Sequence, residues 1–256
     1  MTSPTIAILV HLFTSVLFLF IGLRLRAKRY DSAKDQRAWD AFLVWWYGMA
    51  LNSALMAFSM LLSLWGVSSL YLFVILSVLG TFAVGGAMWG LLSYLLYVYT
   101  GNWRPSRWVA GFYIVFCLYL VYTVVAFVPV RASLSTWQVF IEYAHTPGPL
   151  YPVGLLLLFA LPPILASAAF FRLYFSLTER SARYRSLVIT TGIFLFFGFP
   201  YIMPIVLYLF NILTTQLPWW QLTQRMVGIV ALALIYSAYY PPALVRKHLR
   251  VSAVTG

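Results

Sequence analysis

Two polar side chains stand inside apolar runs of this sequence, and they set the chemical question. Arg225 lies six residues past Trp219 in "WWQLTQRMVGIVALALIYSAYYPPALVRKH", and His11 lies within "IAILVHLFTSVLFLFIGL". A guanidinium held against apolar surroundings can take a carboxylate or a phosphate in bidentate geometry. Arg225 also sits only about 9 Å along a helix from Trp219, close enough to snorkel to lipid headgroups instead. His11 reads either as a satisfied packing residue or as part of a site. Glu142 is the acid placed to pair with these cations. Arg225, His11 and Glu142, with the aromatic Trp137 and Tyr236, form the candidate ligand-binding set. The sequence predicts that Arg225, His11 and Glu142 come together at one mouth of a helix bundle.

Enzyme chemistry is poorly provided for. The five acids are Asp31, Asp35, Asp40, Glu142 and Glu179, and all fall in connections or at the edges of apolar spans. A carboxylate proton relay or cation site inside the bundle is therefore not expected. His11, His145 and His248 are too scattered for a metal or bis-histidine haem site, and Cys117 stands alone, so no disulfide can form within the chain. No nucleophile has a base at a readable spacing. No catalytic residue, metal site or cofactor is assigned.

Only 9% of the 256 residues are charged and 63% are hydrophobic; soluble domains carry about 25% charged residues, so there is too little charge here to cover a water-facing surface. Seven apolar spans can be drawn, at about 6–25, 41–64, 70–99, 108–128, 151–174, 187–210 and 219–240. Each is long enough to cross a bilayer. In lipid the backbone must satisfy its own polar groups, so helices are expected. The reading is a single all-α integral-membrane domain over 1–256, a seven-helix bundle.

Lysine and arginine set its expected orientation. Arg24, Arg26, Lys28, Arg29, Lys34, Arg37, Arg104, Arg107, Arg180, Arg183, Arg185, Arg246, Lys247 and Arg250 all fall on one side. That side is read as cytoplasmic, with the N-terminus outside. The first span lacks a positive leader and is read as a retained anchor. The net charge of +12 reflects this bias and attraction to anionic lipid. No folded basic module is present for nucleic acid. The expected setting is a multi-pass protein of the cell membrane, with lipids around it, a small or lipid-like ligand, and a cytoplasmic signalling partner.

Several local features organise the spans. Gly80, Gly85, Gly86 and Gly90 crowd the third span in "GTFAVGGAMWG"; small residues one turn apart let helices approach closely. Prolines concentrate late, at Pro162 and Pro163 in the fifth span and Pro200 and Pro204 in the sixth. Proline removes a backbone donor and kinks a helix, so these positions are either static bends or hinges. Between spans four and five, Trp137, Val139, Ile141 and Tyr143 alternate with Gln138, Phe140 and Glu142. That period of two predicts a strand, paired with Val130–Leu134 in a short extracellular hairpin. The tail "ALVRKHLRV" reads either as an interfacial helix or as a frayed end.

Seven helices with an outside N-terminus resemble microbial rhodopsins in outline. Their retinal is held by a lysine of the seventh helix, and here Lys28, Lys34 and Lys247 all lie in connections or the tail, so a retinal Schiff base is excluded. The outline is also that of G-protein-coupled receptors, but the third span ends "YVYTGNWRPSR" without their Asp-Arg-Tyr. The phrases "RAWDAFLVWWYGMAL", "YLLYVYTGNWR" and "WWQLTQRMVGIVALALIYSAYYPP" resemble uncharacterised prokaryotic seven-helix membrane proteins, including the sensor region of some histidine kinases. That resemblance implies a receptor-like or sensor-like role. A transporter or lipid-handling protein, or a structural subunit of a membrane complex, is the alternative.

Overall fold

A computed structural model describes residues 4–28, 30–145, 161–199 and 218–251. The chain divides into two compact units, Met1–Pro152 and Val153–Gly256.

The first unit holds four long helices: α1 (Pro4–Arg26), α2 (Ala33–Leu64), α3 (Leu70–Thr100) and α4 (Pro105–Ala126). All four are long and apolar enough to cross a membrane, which points to a membrane protein. The outward faces are consistent with that: Leu9, Phe13, Val16 and Phe20 on α1 and Ile114, Val115, Leu118 and Tyr122 on α4 are exposed. The helices change direction where backbone chemistry allows. Gly66 has φ +80° and closes α2 with a paired hydrogen-bond motif, Val67 N to Leu62 O and Gly66 N to Ser63 O. This is the glycine-dependent helix stop in which two end carbonyls are satisfied at once. Gly101, at φ +66°, ends α3 with a single bond from its N–H to the Tyr97 carbonyl at 2.7 Å, the simpler left-handed glycine stop, and Pro105 opens α4. Proline suits a first helical position because its missing N–H would have no partner there.

α2 lies between α1 and α3, and α4 packs on α3. A repeat of small residues makes the α2–α3 approach close. A side chain on Gly90 would run into the Ala41 carbonyl oxygen, and one on Gly48 would stand 2.7 Å from the Ala83 carbonyl oxygen. A side chain on Gly80 would stand 3.2 Å from the Asn52 amide oxygen, and one on Gly85 would run into Cys117 Sγ of α4. Gly86 has open space. The packing face of α3 toward α2 is thus Gly80, Ala83, Ala87 and Gly90, and the literal pair Gly86/Gly90 is split between an open side and a crowded one.

The predicted hairpin is present. β1 (Pro129–Leu134) and β2 (Val139–Tyr143) pair antiparallel, with Arg131 opposite Glu142 and Leu134 opposite Val139. It follows α4 after a residue in the left-handed region, Val128, at φ +50°. Its strands rest on α2 and α3. Phe140 and Glu142 are exposed while Val139, Ile141 and Tyr143 are partly covered, the alternation that the sequence predicts.

In the second unit, α5 (Leu161–Ser176) packs on α6 (Arg180–Ile193), and α6 on α7 (Pro218–Ser237); α8 (Ala243–Val251) follows. Ser186 donates to the Phe170 carbonyl at 2.7 Å, tying α6 to α5, and Tyr184 donates to Ser237 at 3.2 Å, tying α6 to α7. Gly192 lets α6 approach Ala231 and Ile235 of α7. α6 continues into a π-helical turn, Phe194–Gly198. Pro162 and Pro163 stand in the first turn of the described part of α5. Pro200 and Pro204 lie outside the described residues. The remaining apolar helices, 163–176 and 222–237, are shorter than the first four.

Helix ends depart from the apolar runs in two places. α2 begins eight residues ahead of its run and α6 seven residues ahead. Hydropathy registers where apolar side chains start, whereas a helix also continues through polar turns that find partners.

Candidate functional site

The site is built on one face of α1. Ala7, Ile8, His11, Thr14, Phe18, Ile21, Gly22 and Leu25 are its buried residues, recurring at three- and four-residue steps as one face of a helix does. His11 is 1% exposed, and its Nε2 lies 2.9 Å from the carbonyl oxygen of Trp137. A carbonyl only accepts, so Nε2–H donates, which assigns the proton of a neutral ring to that nitrogen.

Trp137 occupies the hairpin tip. Ser135 N donates to the Gln138 carbonyl at 2.9 Å to close the turn. That turn directs the Trp137 side chain inward, where it is 2% exposed. Its indole N–H is buried with no hydrogen-bond acceptor among the described residues. Leaving such a donor unsatisfied costs about 1–3 kcal/mol. The hairpin therefore covers this end of the first unit, latched by a histidine and plugged by a tryptophan that keeps one donor unspent.

The other members of the predicted set are placed differently. Glu142 is exposed and paired in register with Arg131, on the hairpin face that alternates with the covered one. It does not join His11 and Trp137 on the buried side. Arg225 and Tyr236 belong to the second unit, both half-buried on α7. They share a face of that helix but stand about 16 Å apart along it, so α7 alone does not bring them to one ligand. Tyr236 stacks on Tyr240 with ring centroids 5.0 Å apart.

A second cluster, which sequence reasoning missed, lies at the opposite, basic end of the first unit. The Tyr97 hydroxyl donates to Asp35 at 2.5 Å, joining the start of α2 to the end of α3. Gln36 accepts from Tyr30 N at 3.0 Å and donates to Asp40 at 2.8 Å. Trp39 donates to the Leu25 carbonyl at 3.1 Å, and Lys28 lies over the rings of Tyr30 and Trp39. Asp35 and Lys28 sit in a hydrophilic connection and read as solvated. Asp35 gains its partner from how α2 and α3 pack, since Tyr97 lies 62 residues away.

Aromatic contacts lead from the middle of α1 toward that cluster. Phe18 meets Trp45 and Trp46, Phe42 stacks on Trp45 and on Tyr94, and Trp39 meets Phe42 and Tyr30. Trp39, Trp45, Trp46, Phe18 and Phe42 are fully buried. Phe18 lies on the same α1 face as His11, two turns away.

Among the described residues no group of three or more histidine, cysteine, aspartate or glutamate side chains could hold a metal ion. Cys117 is buried against α3, with Sγ 3.8 Å from the Thr81 carbonyl. At this end the described residues place one buried indole donor without an acceptor beneath a hairpin that His11 ties to α1. No known family model and no curated protein matches the chain.

Proposed function

We propose that the chain is a multi-pass, seven-span protein of the cell membrane with a receptor-like or sensor-like role. It takes a small or lipid-like ligand in the outer half of the bundle, beneath the hairpin, without a retinal linkage. The basic end faces the cytoplasm by the lysine and arginine bias, and the hairpin end faces outside. The observation that carries the ligand reading is the buried Trp137 indole N–H, which has no hydrogen-bond acceptor among the described residues. An acceptor-bearing amphiphile entering under the hairpin would satisfy it while keeping its apolar part among the helices. The sensor reading is supported by the packed aromatic run from Phe18 on α1, through Trp46 and Phe42, to Tyr94 and Trp39 near the basic end. Packed side chains of this kind can carry coupling between distant sites. A cytoplasmic partner would read the connection between α1 and α2.

Two experiments test this. Reporter fusions after Arg37, Arg107 and Arg185 should report cytoplasm, and fusions near Ser69 and Thr215 should report the outside; the reverse pattern overturns the orientation. For the ligand, protein in nanodiscs is screened by thermal shift against fatty acids, lysophospholipids and neutral monoacylglycerols. A binder at a hundred times its Kd stabilises by about 2.7 kcal/mol. The stabilisation should fall in Trp137→Phe, which keeps the ring and removes the donor. No stabilising amphiphile, or equal stabilisation of Trp137→Phe, overturns the site.

The π-helical turn Phe194–Gly198 favours a second reading, a transporter or lipid-handling protein. Departures from α-helix inside apolar segments recur at functional positions and in transporters. Flux of an amphiphile in proteoliposomes, without any ligand-dependent change at the basic end, would favour it.

A further inference from the structure

The tail after Pro241 and Pro242 forms a helix, α8, whose sequence positions divide by residue type. At 100° per residue, positions 246, 247 and 250, all basic, span an arc of about 100°. Positions 244, 245, 249 and 251, all apolar, fall on the other side of the same register. Leu244 is 78% exposed, and Arg246 and Lys247 are exposed too. The basic face has no acid nearby in sequence: the nearest acid upstream of α8 is Glu179. A nine-residue helix is marginal in water without a surface to lie on. An apolar stripe beside a basic stripe, directly after an apolar helix, matches an element that lies in the plane of a bilayer interface.

We propose that α8 is a docking element for anionic phospholipid headgroups, with Leu244 and its neighbours inserted at the acyl boundary and Arg246, Lys247 and Arg250 held on phosphates. Basic residues near an anionic surface add roughly fivefold each in partition. The three together give on the order of a hundredfold preference for an anionic over a neutral surface. The consequence is that the end of α7 is anchored in anionic membrane and released in neutral membrane or high salt, since this attraction is screened within a Debye length. The inference rests on the membrane reading of the chain but not on its orientation.

The test uses the full chain in nanodiscs, whose two leaflets carry the same lipid. Leu244→Cys is labelled with a polarity-sensitive dye. Cys117 is 3% exposed, and unsubstituted protein serves as the labelling control. Emission should be blue-shifted in discs containing phosphatidylglycerol, near that of water in phosphatidylcholine alone, and water-like again at high salt. Arg246→Gln, Lys247→Gln and Arg250→Gln combined should abolish the shift, and Lys247→Arg should keep it. Adding inorganic phosphate to neutral discs should not reproduce it, which separates headgroups from free anion. Water-like emission in both lipids would mean a solvated tail and would overturn the proposal. So would an equal blue shift in both lipids that survives the triple substitution, since α8 would then be buried on protein. Reversed topology fusions would refute the orientation and leave this result standing.

Discussion

Gly90→Ala and Gly86→Ala form a matched pair that tests the helix packing directly. Both residues lie in α3, one turn apart, and the pattern of small residues treats them alike. The structure does not. A methyl on Gly90 would collide with the Ala41 carbonyl oxygen and stand 3.1 Å from Trp45 N and 3.3 Å from the Ala41 carbonyl carbon. These are backbone atoms of α2, so no side chain can swing aside, and the two helices must separate by about 1 Å to restore contact distance. Overpacking of this kind costs about 1–3 kcal/mol. A methyl on Gly86 meets nothing within 4 Å, and alanine is favoured over glycine in a helix by up to about 1 kcal/mol. The two variants should therefore differ by roughly 1–4 kcal/mol, with Gly90→Ala the less stable. At about 2–4 °C per kcal/mol for a chain of this size, their melting temperatures should stand roughly 2–16 °C apart. The measurement is thermal unfolding of detergent-solubilised protein by circular dichroism at one fixed scan rate. Melting temperatures within about 2 °C of each other would refute the placement of α3 against α2.

Other substitutions probe the remaining contacts. Gly85→Ala should destabilise by about 1–2 kcal/mol through collision with Cys117 Sγ, and adding Cys117→Ala should recover most of that loss; a strictly additive double variant would show that the two do not touch. Tyr97→Phe should cost about 1 kcal/mol and speed amide exchange over 33–37, while Asp35→Asn, which keeps an acceptor, should cost less; unchanged exchange in both would remove the link between α2 and α3. His11→Ala should destabilise by about 1–3 kcal/mol and raise exchange over 129–143, because the hairpin loses its polar attachment to α1. Exchange confined to α1 would show that the latch does not hold the hairpin.

The membrane character and the first four helices were readable from sequence because hydropathy is a property of each residue in its window. A run of about twenty apolar residues has few alternatives in lipid. The hairpin was readable for a related reason. One face of β2 is covered and the other open, so burial prints a period of two on the sequence. Trp137, though, sits on the turn and not on the strand. Its inward direction comes from the turn geometry, which no alternation encodes.

What depended on tertiary structure was which side chains meet. Alike in sequence, Gly86 and Gly90 are distinguished by where α2 packs on α3, against Gly90 and clear of Gly86. Asp35 reads as a solvated acid until α3 delivers the Tyr97 hydroxyl to it. His11 and Trp137 are both candidates in sequence, yet their contact joins residues 126 positions apart; Glu142, which the sequence groups with His11 and Arg225, stands on the exposed hairpin face opposite Arg131. Local sequence sets the length, polarity and period of each element, because those are sums over neighbouring residues. Partnerships arise from crossing angles and strand register, which are set by the packing of whole elements and leave only small residues such as Gly48 and Gly90 as their trace in the sequence.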